Sequence, residues 1–215
     1  MDPTFSDLAH QKTALLSELT SLPEEGRALI ARALTYAQDA HQEHTRDEGV
    51  PYIIHPIRAT RTLLAAGVGD AEVLAAALLH DVVEDATWGG DGTGGYGTLE
   101  NPAHTFDDIA REFGSRVAEL CRASTQDKDR ESKQQYVKRI MEGPLEDRLI
   151  KAADKLDNVR SLALRDDRGE RYQRHIREAE ELHLPLARST ENPELITQME
   201  AAIAAIPDRD QAPTQ

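Results

Sequence analysis

The stretch Ala75-Ala76-Ala77-Leu78-Leu79-His80-Asp81-Val82-Val83-Glu84-Asp85 sets four ionisable side chains at the end of a run so apolar that it reads as one buried helix. On a continuous helix His80 and Glu84 share a face, as do Asp81 and Asp85, because residues four apart are neighbours. Charge carried into a core is neutralised by a metal or used in chemistry. One such cluster cannot saturate an ion, so a second histidine and a distant carboxylate are needed, and His55 and Asp154 supply them.

Outward from that helix, apolar residues recur at three and four rather than at two, and strand signals are nearly absent. The pattern predicts an all-α, single-domain helical bundle over residues 1–206, with a frayed tail at 207–215. Asp70 caps the apolar helix. Before it, a helix runs from about Leu8 to Leu19, and Ser21 with Glu24 reads as a capping box with Pro23 in the first turn. That second helix extends to about His44. Pro51 to His55 is expected to be extended, because a residue before proline is pushed out of the helical region, and Pro56 then opens a helix ending at Gly67.

After Asp85 the periodicity stops. Six glycines between Gly89 and Gly97, interleaved with Trp88 and Tyr96, describe a mobile loop over 86–104. Thr105 with Asp108 starts a helix that Gly114 ends, and a companion passes through Val117, Leu120 and Cys121. Beyond a solvated segment, a helix through Tyr136 and Ile140 stops at Gly143, and Pro144 opens another. There Leu145, Leu149, Ala152, Leu156 and Val159 form the core stripe, while Lys151, Asp154 and Asn158 line a neighbouring polar face. Helices around 172–186 and 194–206 complete the chain.

Composition narrows the function classes. With 25 basic against 39 acidic residues the formal charge is −14, which repels nucleic acid at long range. No run approaches the ~18 apolar residues that a membrane helix needs. The single Cys121 excludes an internal disulfide and a multi-cysteine zinc site, and it suits a reducing compartment, so a cytoplasmic protein is expected.

Two imidazoles and two carboxylates make a mixed nitrogen and oxygen donor set, suited to manganese, magnesium, iron or zinc with positions left for water. Such an ion lowers the pKa of a bound water and polarises a phosphoryl oxygen, the two needs of phosphoester hydrolysis. Glu84 and Asp85 lie one turn beyond His80 and Asp81, placed for one to take a proton from water and the other to steer the leaving group.

Several motifs, in order, carry a family resemblance between about Tyr36 and Leu162. They are Ala40-His41, Arg46, Gly49, Pro51-Tyr52-Ile53-Ile54-His55-Pro56, the segment from Ala76 to Asp85, Phe113-Gly114, and Lys151 to Arg160. Together they resemble the HD superfamily of metal-dependent phosphohydrolases, and within it the hydrolase domain of the RelA/SpoT alarmone enzymes. The resemblance implies a metal, usually Mn2+, held by His55, His80, Asp81 and Asp154, with Glu84 and Asp85 serving the water. It also implies that Arg46 stacks on guanine and that Asn158 lines the nucleotide pocket, with Lys151 and Arg160 from the same motif as further substrate contacts. The implied reaction removes pyrophosphate from the ribose 3′ position of ppGpp or pppGpp.

The chain ends about fifty residues after the last motif, so it resembles a stand-alone small alarmone hydrolase. It departs from the family pattern at Asp47, where lysine is usual, at Asp157, where histidine is usual, and at Gln126, where a Thr-Lys pair is common. Alternatives are an adenine-alarmone (ppApp) hydrolase, a hydrolytic antitoxin paired with an alarmone synthetase, an HD nucleotidase acting on other nucleotides, and a non-catalytic nucleotide sensor. His41 and His44 are read as structural.

Overall fold

A computed structural model describes residues 4–42, 44–85, 104–165 and 168–207, with Asp85 described by its backbone alone. The glycine-rich stretch over 86–103 and the tail beyond 207 therefore lie outside the described residues. Those described form helices joined by short turns, and the only strand-like pairing among them is an isolated bridge between Thr45 and Pro51. They divide into two compact units, 1–125 and 126–215.

The first unit is built around α4 (Ala71–Leu79), in which every residue from Val73 to Leu79 is buried. Asp70 caps it as expected, its carboxylate accepting from the Glu72 and Val73 N–H groups. Three helices pack directly on it: α2 (Glu24–Ala40), α3 (Ile54–Ala65) and α7 (Ser115–Ser124). The approach of α2 is close enough to dictate a residue type, because a Cβ on Gly26 would sit 3.0 Å from the Ala71 Cβ. Packing behind α3, α1 (Leu8–Glu18) is tied to it where Arg61 Nε donates to both Glu18 oxygens at 3.0 Å. Helix α6 (Phe106–Phe113) starts where Thr105 and Asp108 were expected to open a helix, here as a capping box, and ends at Gly114, whose φ of 96° favours glycine.

Three boundaries differ from expectation. Ser21 and Glu24 do not form a capping box: Ser21 belongs to a 3₁₀ turn over Leu19–Ser21, and Pro23 is the N-cap without a side-chain bond. That helix, α2, also stops at Ala40 rather than near His44. In α3 the helix begins at Ile54, so His55 is helical and not extended. The first turn tolerates Pro56 because its N–H would have had no intrahelical partner.

The apolar run itself is broken. Helix α4 ends at Leu79, Asp81 lies in a turn, and a separate turn of helix, α5, spans Val82–Asp85. The His80 imidazole supplies the reason, since its Nδ1 lies 2.9 Å from the Ala77 carbonyl that a continuous helix would offer to the Asp81 N–H.

In the second unit α9 (Leu145–Leu162) is central, contacted by α8 (Lys133–Glu142), α10 (Glu170–Glu178), α11 (Leu184–Ser189) and α12 (Pro193–Ala204). The expected stripe of Leu149, Ala152, Leu156 and Val159 is buried, whereas Leu145, in the first turn, is 45% exposed. Around 172–186 the chain is not one α-helix, because a π turn over Ala179–His183 separates α10 from α11. Pro185, two residues beyond the turn, has no N–H to continue the regular ladder. Asn192 caps α12 by accepting from the Glu194 and Leu195 N–H groups.

Candidate metal centre

Each unit carries some of the predicted site residues. In the first, His80 at the C-terminal end of α4 and His55 in the first turn of α3 are 1% exposed, with ring centroids 5.3 Å apart. A carbonyl oxygen only accepts, so the Nδ1 that meets the Ala77 carbonyl carries the ring proton and His80 Nε2 is left as a lone-pair donor. That nitrogen lies 3.1 Å from Asp81 Oδ2, and His55 Nε2 lies 3.5 Å from the same oxygen. The turn that breaks the helix thus aims Asp81 at both imidazoles. Glu84 sits half-buried on α5; the side chain of Asp85 lies outside the described residues.

A second layer surrounds these donors. The Tyr52 hydroxyl donates to Asp81 Oδ2 at 2.7 Å. His41 stacks on the Tyr52 ring with centroids 4.7 Å apart, and its Nδ1 is 3.3 Å from His44 Nδ1. Burial lowers the His41 pKa to about 4, against the pull of Asp81, so the ring is neutral near pH 7. Arg46 pairs through Nε with Glu48 at 3.5 Å, and its guanidinium lies 5.7 Å from the Tyr52 ring centroid.

In the second unit the polar face of α9 is buried rather than solvated, with Lys151 3%, Asp154 2% and Asp157 0% exposed. Lys151 and Lys155 bring Nζ to 2.7 and 3.2 Å from Asp154 Oδ2, and Asn158 donates to Oδ1 at 2.8 Å. Pairing of this kind is what allows a carboxylate to be buried at all. Arg160 donates instead to Gln198 on α12, and Gln126 donates to the Glu131 carbonyl.

In the first unit His55 Nε2 and His80 Nε2 converge on one Asp81 oxygen, and in the second Asp154 is a buried carboxylate. Two buried imidazoles beside the Asp81 carboxylate, with the His80 tautomer already set, suit a divalent cation. The HD domain family profile matches residues 33–190. The chain belongs to the HD domain family.

This HD domain is similar to the bifunctional (p)ppGpp synthase/hydrolase SpoT of Escherichia coli (strain K12), 37% identical over 178 residues that make up 78% of the chain and 22% of SpoT. It spans only about a fifth of the length of that relative and of the guanosine-3′,5′-bis(diphosphate) 3′-pyrophosphohydrolase of Escherichia coli O157:H7. The coverage is more even with the human pyrophosphohydrolase MESH1, 36% identical over 141 residues, 63% of this chain and 70% of that protein. Among solved structures, one described as a metazoan ortholog of SpoT that hydrolyzes ppGpp matches with a TM-score of 0.67 and 28% identity, covering 86% of this chain and 97% of that one.

Reading by residue type passed over Tyr52 as a participant, although its place three residues before His55 is a signal. No helix among the described residues is long and apolar enough to cross a membrane.

Proposed function

We propose that this HD domain is a metal-dependent phosphohydrolase that removes pyrophosphate from the ribose 3′ position of (p)ppGpp-type alarmones, leaving GDP or GTP. The observation that carries this reading is the pair of buried imidazoles, His55 and His80, facing Asp81 in a chain 36% identical to human MESH1 over 70% of that protein, with Asp154 of the second unit assigned as a further ligand. Asp81 would complete the donor set, and Mn2+ is the ion we assign to it. A divalent cation there supplies two things, a water of lowered pKa and relief of charge on the phosphoryl oxygens.

The chain's own groups do the rest. Glu84, on the turn of helix beyond His80 and Asp81, accepts the proton of the attacking water, and Asp85 steers the leaving oxygen. Water replaces the ribose 3′-oxygen on phosphorus, and that oxygen leaves carrying a proton. Arg46 lies against the face of the guanine, and Lys151, Asn158 and Arg160 are assigned to the nucleotide. The same reading makes residues 1–206 one HD domain acting in the cytoplasm, where an alarmone synthetase would be its counterpart.

Purified protein supplied with Mn2+ and offered ppGpp, pppGpp and ppApp, with products separated by anion-exchange chromatography, tests the reading. Pyrophosphate and GDP from ppGpp are expected. Metal-loaded protein that turns over none of the three would overturn it, and release of inorganic phosphate from nucleoside monophosphates instead would assign the site to a different HD nucleotidase.

A further inference from the structure

Tyr52 meets the metal centre and the nucleotide-side arginine with two different parts of one side chain. Its hydroxyl donates to Asp81 Oδ2 at 2.7 Å, the oxygen that lies 3.1 Å from His80 Nε2 and 3.5 Å from His55 Nε2. The ring is clamped, with His41 stacked at 4.7 Å and tilted by 31°, His55 set edge-on at 5.9 Å, and the Arg46 guanidinium 5.7 Å from its centroid. Arg46 is itself held by Glu48, and both side chains are under one-tenth exposed.

A carboxylate on a short turn can rotate about two bonds, and each wrong rotamer takes its oxygen away from an ion. A ring held on several sides cannot follow such a rotation, so a hydroxyl fixed to it restricts the carboxylate in turn. We propose that Tyr52 is a positioning residue, which holds Asp81 with its Oδ2 turned to the two imidazoles and mechanically joins the metal centre to Arg46. This rests on the reading of Asp81 as a fourth ligand beside His55, His80 and Asp154. Tyr52 touches neither the reacting atoms nor the ion; it acts through Asp81.

The test replaces only the hydroxyl. Tyr52→Phe keeps the ring and its contacts with His41, His55 and Arg46, so the metal-free melting temperature should match wild type. Isothermal titration of Mn2+ into metal-free protein, with no nucleotide present, should give a Kd raised about ten- to a hundredfold, the usual effect of removing a partner that orients a ligand. The visible absorption of the Co2+-loaded variant should also differ from that of wild type, since a freed carboxylate changes the ligand field.

Wild-type affinity together with an unchanged Co2+ spectrum would overturn the proposal. Loss of folding in Tyr52→Phe would overturn it as well, by assigning the hydroxyl to stability. Wild-type protein that takes up no Mn2+ would remove its premise. Because the titration contains no nucleotide, its outcome is separate from that of the hydrolysis assay: a wild-type protein that binds Mn2+ and leaves every alarmone intact defeats the proposed function and leaves the role of Tyr52 standing.

Discussion

At the scale of single residues, His80 shows how one ring serves two neighbours. Its Nδ1 faces the Ala77 carbonyl at 2.9 Å, and its Nε2 faces Asp81 at 3.1 Å. Replacing His80 by Ala should strip the protein of its metal, with a fall of at least about tenfold in bound Mn2+ by mass spectrometry of the dialysed protein. Occupancy equal to wild type would contradict its assignment as a ligand. Glu84 is assigned to the attacking water and not to the ion, so its effect should fall on rate alone. Glu84→Gln is expected to lower kcat by about 10²- to 10⁴-fold with Mn2+ content preserved, measured by pyrophosphate release under saturating nucleotide. If kcat held and KM rose, Glu84 would be a binding group and the proton acceptor would have to be sought elsewhere.

Helices position these residues, and their ends matter more than their middles. The site of the first unit lies where α4 stops, and α4 starts at Asp70, whose carboxylate caps two N–H groups and also pairs with Arg116 at 2.8 Å. Hydrogen bonding to Arg116 and to the helix N–H groups outweighs partial burial and lowers the Asp70 pKa, so the cap is ionised at neutral pH. Asp70→Ala should cost about 1 kcal/mol in urea unfolding, the usual value of a lost N-cap. In the middle of the same helix Leu78 is fully buried, and Leu78→Ala should cost about 2–5 kcal/mol through the cavity it leaves. A Leu78→Ala loss no larger than that of the cap variant would mean that α4 is less central to stability than its burial indicates.

Across the whole molecule two buried histidines make stability depend on pH. Burial holds His41 at about 4 and His183 at about 3, whereas in the unfolded chain both titrate near 6.5. Between those values the unfolded state binds protons that the folded state does not, so stability rises with pH and is lost on acidification below about 6.5. Each should withdraw about 2 kcal/mol between pH 7 and pH 5. Urea unfolding of wild type and His41→Gln at the two pH values reads the difference, and equal pH dependence in the two proteins would show that His41 is not held neutral.

Much of this protein follows from its residues taken locally. The all-helical class, the caps at Asp70 and Thr105, the stop at Gly114, and His55, His80 and Asp154 as candidate ligands are set by backbone preference, side-chain period and donor chemistry, which act over a few positions. The break after Leu79 was hidden because it depends on a side chain competing for a carbonyl, and the π turn before α11 because Pro185 reads equally well as an ordinary helix start. Burial of the Lys151 and Asp154 face, the exposure of Leu145, and the clamping of Tyr52 against Asp81 were decided only by the tertiary structure. Which polar groups leave water depends on partners far away in the chain, and periodicity records only which residues share a face.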